Sequence, residues 1–431
     1  MLRRVRWVFL SVATVVGLYA LAGLLLSSRY DAKVGAFRAS EAYADLLRRR
    51  EDIPAEENAA PRFEEAWALL KQVPAEHAQY TYAWGWSEDD AVDAPPAAGD
   101  DEELAEDYRR LAEERRDERR RALLSLEPFV AALAAALERP AVQFPDRWGD
   151  AEDALHLARE MLPVRARLMP ERAPECADLL LRLSTRWRAR DTEVLARLFL
   201  LREALAVVRD ALSGDPSGAR PHLAAWRAWL AAEDPLREFR LQYAAQLHST
   251  AAVVEEVRRG EDPFARTRDS VRQVREIVGD ARKRVPEVAR SDTDALLDRV
   301  EGSFPKPVIF RWYARPVFYW SLIKGSDAWI AAVESARTDE GLRALLERPD
   351  LDRMTRIVGV RTLEQLALLR LALLTTAIAA GDAPPELEDP FTGLPIRIRT
   401  EGEETVVSAP PPERLRDRET DLGLFSWAVH R

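Results

Sequence analysis

Along most of the 431 residues apolar positions recur every three to four residues, the spacing of one helical face, and near the C-terminus the spacing shortens to two. The clearest helix runs over 191–212, where Leu198, Leu201, Leu205, Val208 and Leu212 keep heptad-like spacing until Ser213-Gly214-Asp215-Pro216 stops it. Residues 39–50 predict a short helix. Asn58 predicts the cap of a second, with Phe63, Ala66, Trp67 and Leu70 as its stripe. Residues 102–121 predict a charged surface helix with few apolar positions (Leu104, Tyr108, Leu111), residues 122–139 an Ala-rich helix entering the core, and Asp150 a cap for the next. Further helices are expected over 221–232, 235–259, 262–285, 292–300, 326–347 and 361–380. The last is opened by Thr362 as N-cap with Gln365 three residues on, and is closed by Gly381 and Pro384. No fixed repeat period links them, so the expected fold is mostly α, an irregular array of helical hairpins.

Three stretches break this rhythm. Trp7 to Leu26 is 20 residues without a charge, enough at about 1.5 Å per residue to cross a hydrocarbon core of roughly 30 Å. The small-residue triplet Ala20-Leu21-Ala22 resembles a signal-peptide cleavage site, but three leucines follow it, so an uncleaved signal-anchor is the expectation. Arg3, Arg4 and Arg6 ahead of the run favour a cytoplasmic N-terminus, with Trp7 at the interface. That makes the chain a single-pass protein of a bacterial inner membrane, with its bulk extracytoplasmic (periplasmic). The second break is Tyr80, Tyr82, Trp84 and Trp86, whose period of two puts four rings on one face of an extended segment. Eight acidic residues follow between Glu88 and Glu103, interrupted by Pro95-Pro96 and Gly99, and read as a loop. In the third break, Ile396 and Ile398 alternate with Arg397 and Arg399 as a half-buried strand does. Residues 405–408 return as its hairpin partner and 424–429 add a third strand. The chain thus divides into a stub and anchor (1–30), a helical extracytoplasmic domain (31–380) and a small β-rich tail (381–431).

Composition narrows function mainly by exclusion. Net charge is −10, and the first 30 residues hold four arginines and no acid, so the remainder is more acidic still, which disfavours nucleic acid as a partner. A single cysteine, Cys176, excludes an intramolecular disulfide and a Cys-rich metal site. The five histidines are scattered without metal-ligand spacing. Walker, G-x-S-x-G and dinucleotide-binding patterns are absent, so no metal, cofactor or catalytic residue is assigned. Carboxylates are too abundant for any pair to stand out as a glycosidase site. The aromatic run 304–320, with Lys306, Arg311 and Arg315, suits either a core helix or the headgroup level of a bilayer. Tyr80, Tyr82, Trp84 and Trp86 are the candidate binding residues, since a row of rings stacks on sugar or packs on a partner.

Several strings carry a resemblance: Glu57-Asn58-Ala59-Ala60, Phe144-Pro145-Asp146-Arg147-Trp148-Gly149-Asp150, Arg315-Pro316-Val317, the Leu-rich stretch from Leu363 to Ile378, and Asp389-Pro390-Phe391-Thr392-Gly393-Leu394-Pro395-Ile396. Together they resemble an uncharacterised family of bacterial membrane-anchored helical proteins, which implies the architecture and no particular activity. The last string is also similar to the Asp-Pro-aromatic turn of the major pseudopilins, whose calcium loop has no counterpart here. The expectation is a membrane-tethered helical scaffold or binding protein whose partner is an envelope protein or peptidoglycan. An envelope-polymer hydrolase with a carboxylate pair and a structural spacer are the alternatives.

Overall fold

A computed structural model describes the chain apart from residues 1, 87–101, 145–149, 189–193, 215, 260–270, 273–274, 277–314, 350, 402–403, 410–424 and 431. For residues 2–17, 19–20, 84–85, 102–109, 194–195, 257, 315–321, 401 and 430 it describes the backbone alone. The described helices are α1 (Leu2–Arg38), α2 (Glu41–Arg50), α3 (Ala60–Leu69), α4 (Glu102–Ser125), α5 (Glu127–Ala136), α6 (Asp150–Leu168), α7 (Ala173–Arg186) and α8 (Val194–Gly214). They continue as α9 (Pro216–Ala219), α10 (Leu223–Ala232), α11 (Pro235–Arg259), α12 (Arg315–Ser335), α13 (Asp339–Leu346) and α14 (Arg353–Ala379). Strands β1 (Arg397–Glu401), β2 (Glu404–Ser408) and β3 (Ser426–His430) form one antiparallel sheet in that order. The fold is mostly helical with a small C-terminal sheet, as the change of period predicts.

Local chemistry explains where the expected boundaries moved. Pro128 sits in the first turn of α5, where its missing N–H costs nothing, so the expected helix over 122–139 begins late and α4 runs on to Ser125. The helix expected over 326–347 divides because Thr338 caps a new one, its hydroxyl accepting from the Gly341 amide at 3.1 Å. A Cβ at Gly341 would stand 2.0 Å from the Ser335 carbonyl oxygen, so this junction requires glycine. Thr362 is not a cap. α14 starts nine residues earlier at Arg353, capped by Asp352 through the Thr355 amide at 2.9 Å. Thr362 lies buried inside it and donates to the Val358 carbonyl at 2.8 Å. The helices expected over 262–285 and 292–300, the acidic stretch 88–101 and the aromatic run 304–320 fall largely outside the described residues.

The chain forms two compact, discontinuous units. One comprises Met1–Leu46 with Tyr243–Val333, the other Leu47–Gln242 with Glu334–Arg431, so residues 381–431 share a unit with helices α3 to α10. In the first unit the end of α1 packs Tyr30 and Val34, one turn apart, against Ala251 and Val254 of α11 and Ile323 of α12. Arg258 pairs with Asp31 at 2.7 Å, Arg38 with Glu255 at 2.7 Å, and Lys33 with Asp327. Earlier in α1 the exposed large apolar side chains among the described residues are Leu18, Leu21, Leu24 and Leu25. Among the described residues no helix is long and apolar enough to cross a membrane. The expected spanning segment 7–26 belongs to α1, but the side chains at 2–17, 19 and 20 are outside the described residues.

In the second unit α7 packs on α8, and α8 on α14 and β3, while α3 lies against α5 and α6. The stripe Leu198, Leu201, Leu205, Val208 and Leu212 is buried, and so are Leu200, Ala204, Val207 and Ala211, because α8 has neighbours on several sides. The Asp389-Pro390-Phe391-Thr392-Gly393 turn fastens the sheet to the helices. Asp389 accepts from the Phe391 amide at 2.9 Å and the Thr392 hydroxyl at 2.8 Å, and Gly393 adopts φ +71°. Phe391 is buried edge-on against Phe425, and Arg343 of α13 donates to the Pro390 carbonyl at 2.7 Å.

Candidate functional site

The expected aromatic ladder is not an extended segment. Residues 75–81 and 83–86 are two 3₁₀ turns separated at Tyr82, whose backbone is extended (φ −117°, ψ 147°), so the chain bends between them and does not run on as a strand. Trp86 is fully buried and its indole donates to the Tyr80 carbonyl at 2.8 Å. The Tyr80 ring lies 4.9 Å from it, and the phenol donates to Glu118 of α4 at 3.1 Å. Tyr82 is 50% exposed, and the side chain of Trp84 lies outside the described residues. Burying a ring of this size outweighs the alternation pattern, so the four rings do not share one open face.

A different place has the form of a site. In the second unit an open cleft of about 830 Å³ lies between the start of α10, the end of α14 and the sheet, well within the size range of ligand pockets. One wall is Arg220, in the 3₁₀ turn Arg220–His222 that leads into α10, together with Leu223, Ala224 and Arg227 of the first turns of α10. That helix is fixed from behind. Asp178 of α7 receives the Trp226 indole N–H at 2.5 Å and shares a hydrogen bond with His222 Nδ1 at 2.7 Å. The carboxylate therefore acts as a clamp that turns Arg220 and Arg227 toward the cleft.

The second wall is where α14 stops. Gly381 takes φ +79°, the Asp382 amide donates to the Ala377 carbonyl at 3.0 Å and the Gly381 amide to the Ile378 carbonyl at 3.0 Å, which is the Schellman arrangement. The turn carries Asp382 against Arg227. Ile398 of β1 and Thr405 of β2 complete the lining. Ile398 points to the inner face of the sheet with Val407 and Trp427, yet it is 42% exposed while those two are buried, because α14 has ended before reaching β1. The cleft therefore offers an apolar bed (Leu223, Ile378, Ile398), one neutralised arginine, Arg227, and one arginine, Arg220, with no partner among the described residues.

Two further polar constellations are buried in the same unit. Arg197 bridges Glu233 at 2.8 Å and contacts Glu238, its Nε donates to the Ser184 carbonyl at 2.8 Å, and Arg49 reaches Glu238 at 2.7 Å. Burial pushes the Glu233 carboxyl above its ordinary range against the pull of Arg197. At Glu238 burial pushes the same way, but Arg197 and Arg49 together outweigh it and hold the carboxyl low. Two cations balance two anions, which suits a structural role. Elsewhere Cys176 is fully buried and its thiol is pushed up to about 12 by that burial, so it is no nucleophile. Among the described residues no group of His, Cys, Asp or Glu is arranged to hold a metal ion.

Sequence reasoning did not select Arg220, Arg227, Asp382 or Ile398. The signal present was the mixed Arg/Leu/Ala face of residues 220–227 and the half-buried alternation of β1, and neither says that the two face each other. No protein-family model, curated protein or solved structure matches this chain.

Proposed function

We propose that this is a membrane-tethered, extracytoplasmic binding protein whose ligand site is the cleft beside the sheet. The observation that carries the reading is that cleft: about 830 Å³, apolar in its bed, with Arg220 open at its rim. A ligand with apolar groups and a carboxylate, part of an envelope protein or of peptidoglycan, satisfies both features. Among the lining residues Asp382 is the single carboxylate and it is paired with Arg227, so the lining offers no carboxylate pair for glycoside hydrolysis.

The tether is supported by the 20 uncharged residues from Trp7, which fall within one uninterrupted helix. Exposed leucines 18, 21, 24 and 25 support it too, since leucines on a helix surface are stable against lipid. Protease added to intact spheroplasts is expected to degrade the bulk of the chain, and protection until lysis would refute that topology.

The binding site is tested by a photo-crosslinking side chain placed at Ala224 or Ile398 of the full-length protein in cells. Its control is the same group at Met354, exposed at the far end of α14 and about 36 Å from Ile378 along the helix axis. Adducts at the two cleft positions, absent at Met354 and lost on adding Arg220→Glu, are expected. Equal labelling at all three positions, or none in the cleft, refutes the site.

A further inference from the structure

The sheet that walls the cleft identifies what fills it. The Ala409 amide donates to the Phe425 carbonyl at 3.0 Å, and this fixes the parity of the ladder. Directions alternate along an antiparallel strand, so Thr405, Val407 and Ala409 turn their main-chain groups to β3, and Glu404, Val406 and Ser408 turn theirs to β1. Their partners Arg397, Arg399 and Glu401 therefore face β2, and the N–H and C=O of Ile398 and Thr400 face the outer edge of β1. The outer edge of β3 is met by α8, where the Ser213 hydroxyl donates to the Ala428 carbonyl at 3.4 Å.

On the outer edge of β1 the chain begins a fourth strand and abandons it. The Ile396 amide donates to the Leu387 carbonyl at 3.0 Å, and Glu388 bridges Pro395 in antiparallel register. Continued by two residues, that register brings Pro385 opposite Ile398, and neither Pro385 nor Pro384 has an N–H to offer. Among the described residues nothing pairs with the edge beyond Ile396.

We infer that an extended segment of an acidic partner protein adds to β1 as this missing strand, pairing with Ile398 and Thr400 and laying alternate side chains in the cleft. The inference rests on the cleft being the ligand site. Apolar side chains of the segment meet Leu223, Ile378 and Ile398, and an acidic one meets Arg220. Arg397 and Arg399, on the opposite face of β1, also have no carboxylate partner among the described residues, so each can take an acidic side chain of the added strand. A second copy of this chain fits less well, because two β1 edges would bring arginine beside arginine.

The test is fluorescence anisotropy on the full-length protein in lipid nanodiscs. The probe is a labelled peptide of alternating Glu and Val, compared with its Lys/Val counterpart and with Glu/Val peptides N-methylated along one edge or the other. Saturable binding of the Glu/Val peptide is expected. It should weaken roughly tenfold, the loss of one charge-assisted hydrogen bond, with Lys for Glu, on N-methylation along the paired edge only, and with Arg220→Glu. Equal binding of all N-methylated forms, with loss on Arg220→Glu, would keep the cleft as a ligand site and overturn strand addition. Absence of peptide binding overturns the inference whether or not cleft crosslinks persist. A concentration-dependent dimer that excludes the peptide overturns it in favour of self-pairing.

Discussion

Replacing Arg197 with methionine tests whether the buried ion cluster is held by charge. The side chain is 8% exposed and pairs with both Glu233 and Glu238, so Arg197→Met leaves Glu233 with the Ser184 hydroxyl and the charge of Arg49, and Glu238 with Arg49. Removing one partner of a buried pair costs about 3–5 kcal/mol, which for a unit of this size lowers the melting temperature by roughly 5–8 °C. The pH dependence has a definite sign. In the wild type the low Glu238 carboxyl contributes stability above its unfolded value that is lost as pH falls through its folded one, while the raised Glu233 carboxyl acts in the opposite direction. Without Arg197 both carboxyls rise, so the variant regains stability on acidification, and its deficit should be much smaller at about pH 5 than at about pH 7.5. Thermal unfolding followed by circular dichroism at the two pH values measures this. A control in which Arg49, Arg197, Glu233 and Glu238 all become apolar residues of similar volume should recover much of the loss. A deficit below about 1 kcal/mol, or one of equal size at both pH values, would show that the cluster is packing rather than charge.

Trp86→Ala should destabilise by about 3–5 kcal/mol, and Tyr82→Ala should stay within about 0.5 kcal/mol; comparable losses would show that Tyr82 is as much a core residue as Trp86. With its thiol near 12, Cys176 ionises to about one part in ten thousand at pH 8, so a maleimide should label it only after denaturation, and rapid labelling of the folded chain would contradict its burial. Gly341→Ala must push a methyl into the Ser335 carbonyl and should cost more than about 2 kcal/mol, whereas Gly35→Ala, inside α1 with nothing within 4 Å, should stabilise by about 0.5–1 kcal/mol in the same denaturation assay.

The helices were legible because burial repeats every turn: α8 and α11 lie where the periodicity of Leu198 to Leu212 and the Pro235 to Arg259 pattern put them. Boundaries failed where local chemistry had two solutions. Thr362 with Gln365 has the form of a capping box, but nothing in the preceding turn stops a helix, and Asp352 offers a stronger acceptor earlier. Period two in Tyr80 to Trp86 misled because it marks a strand only if the backbone stays extended throughout, and here only Tyr82, between two 3₁₀ turns, is extended. The cleft was not legible at all. Its walls come from residues near 220, 380 and 400, and no local pattern encodes which helix ends short of which strand.

That shortfall is what makes the site. α14 covers β2 and β3 and then stops at Ala379, where Gly381 reverses the chain, so the inner face of β1 is left without a helical lid. The reversed chain meets the outer edge of β1 at Leu387, which accepts from the Ile396 amide, and no described residue pairs with that edge beyond it. Each feature alone is an ordinary way to end a helix or blunt a sheet edge. Together they leave one residue, Ile398, with its side chain open to a cavity on one side and its amide and carbonyl open to an edge on another. A ligand that only filled the cavity would leave the edge unsatisfied, and one that only paired with the edge would leave the apolar bed wet. A strand with alternating side chains answers both at once, and on that ground the proposed ligand is a peptide rather than a sugar or a compact metabolite.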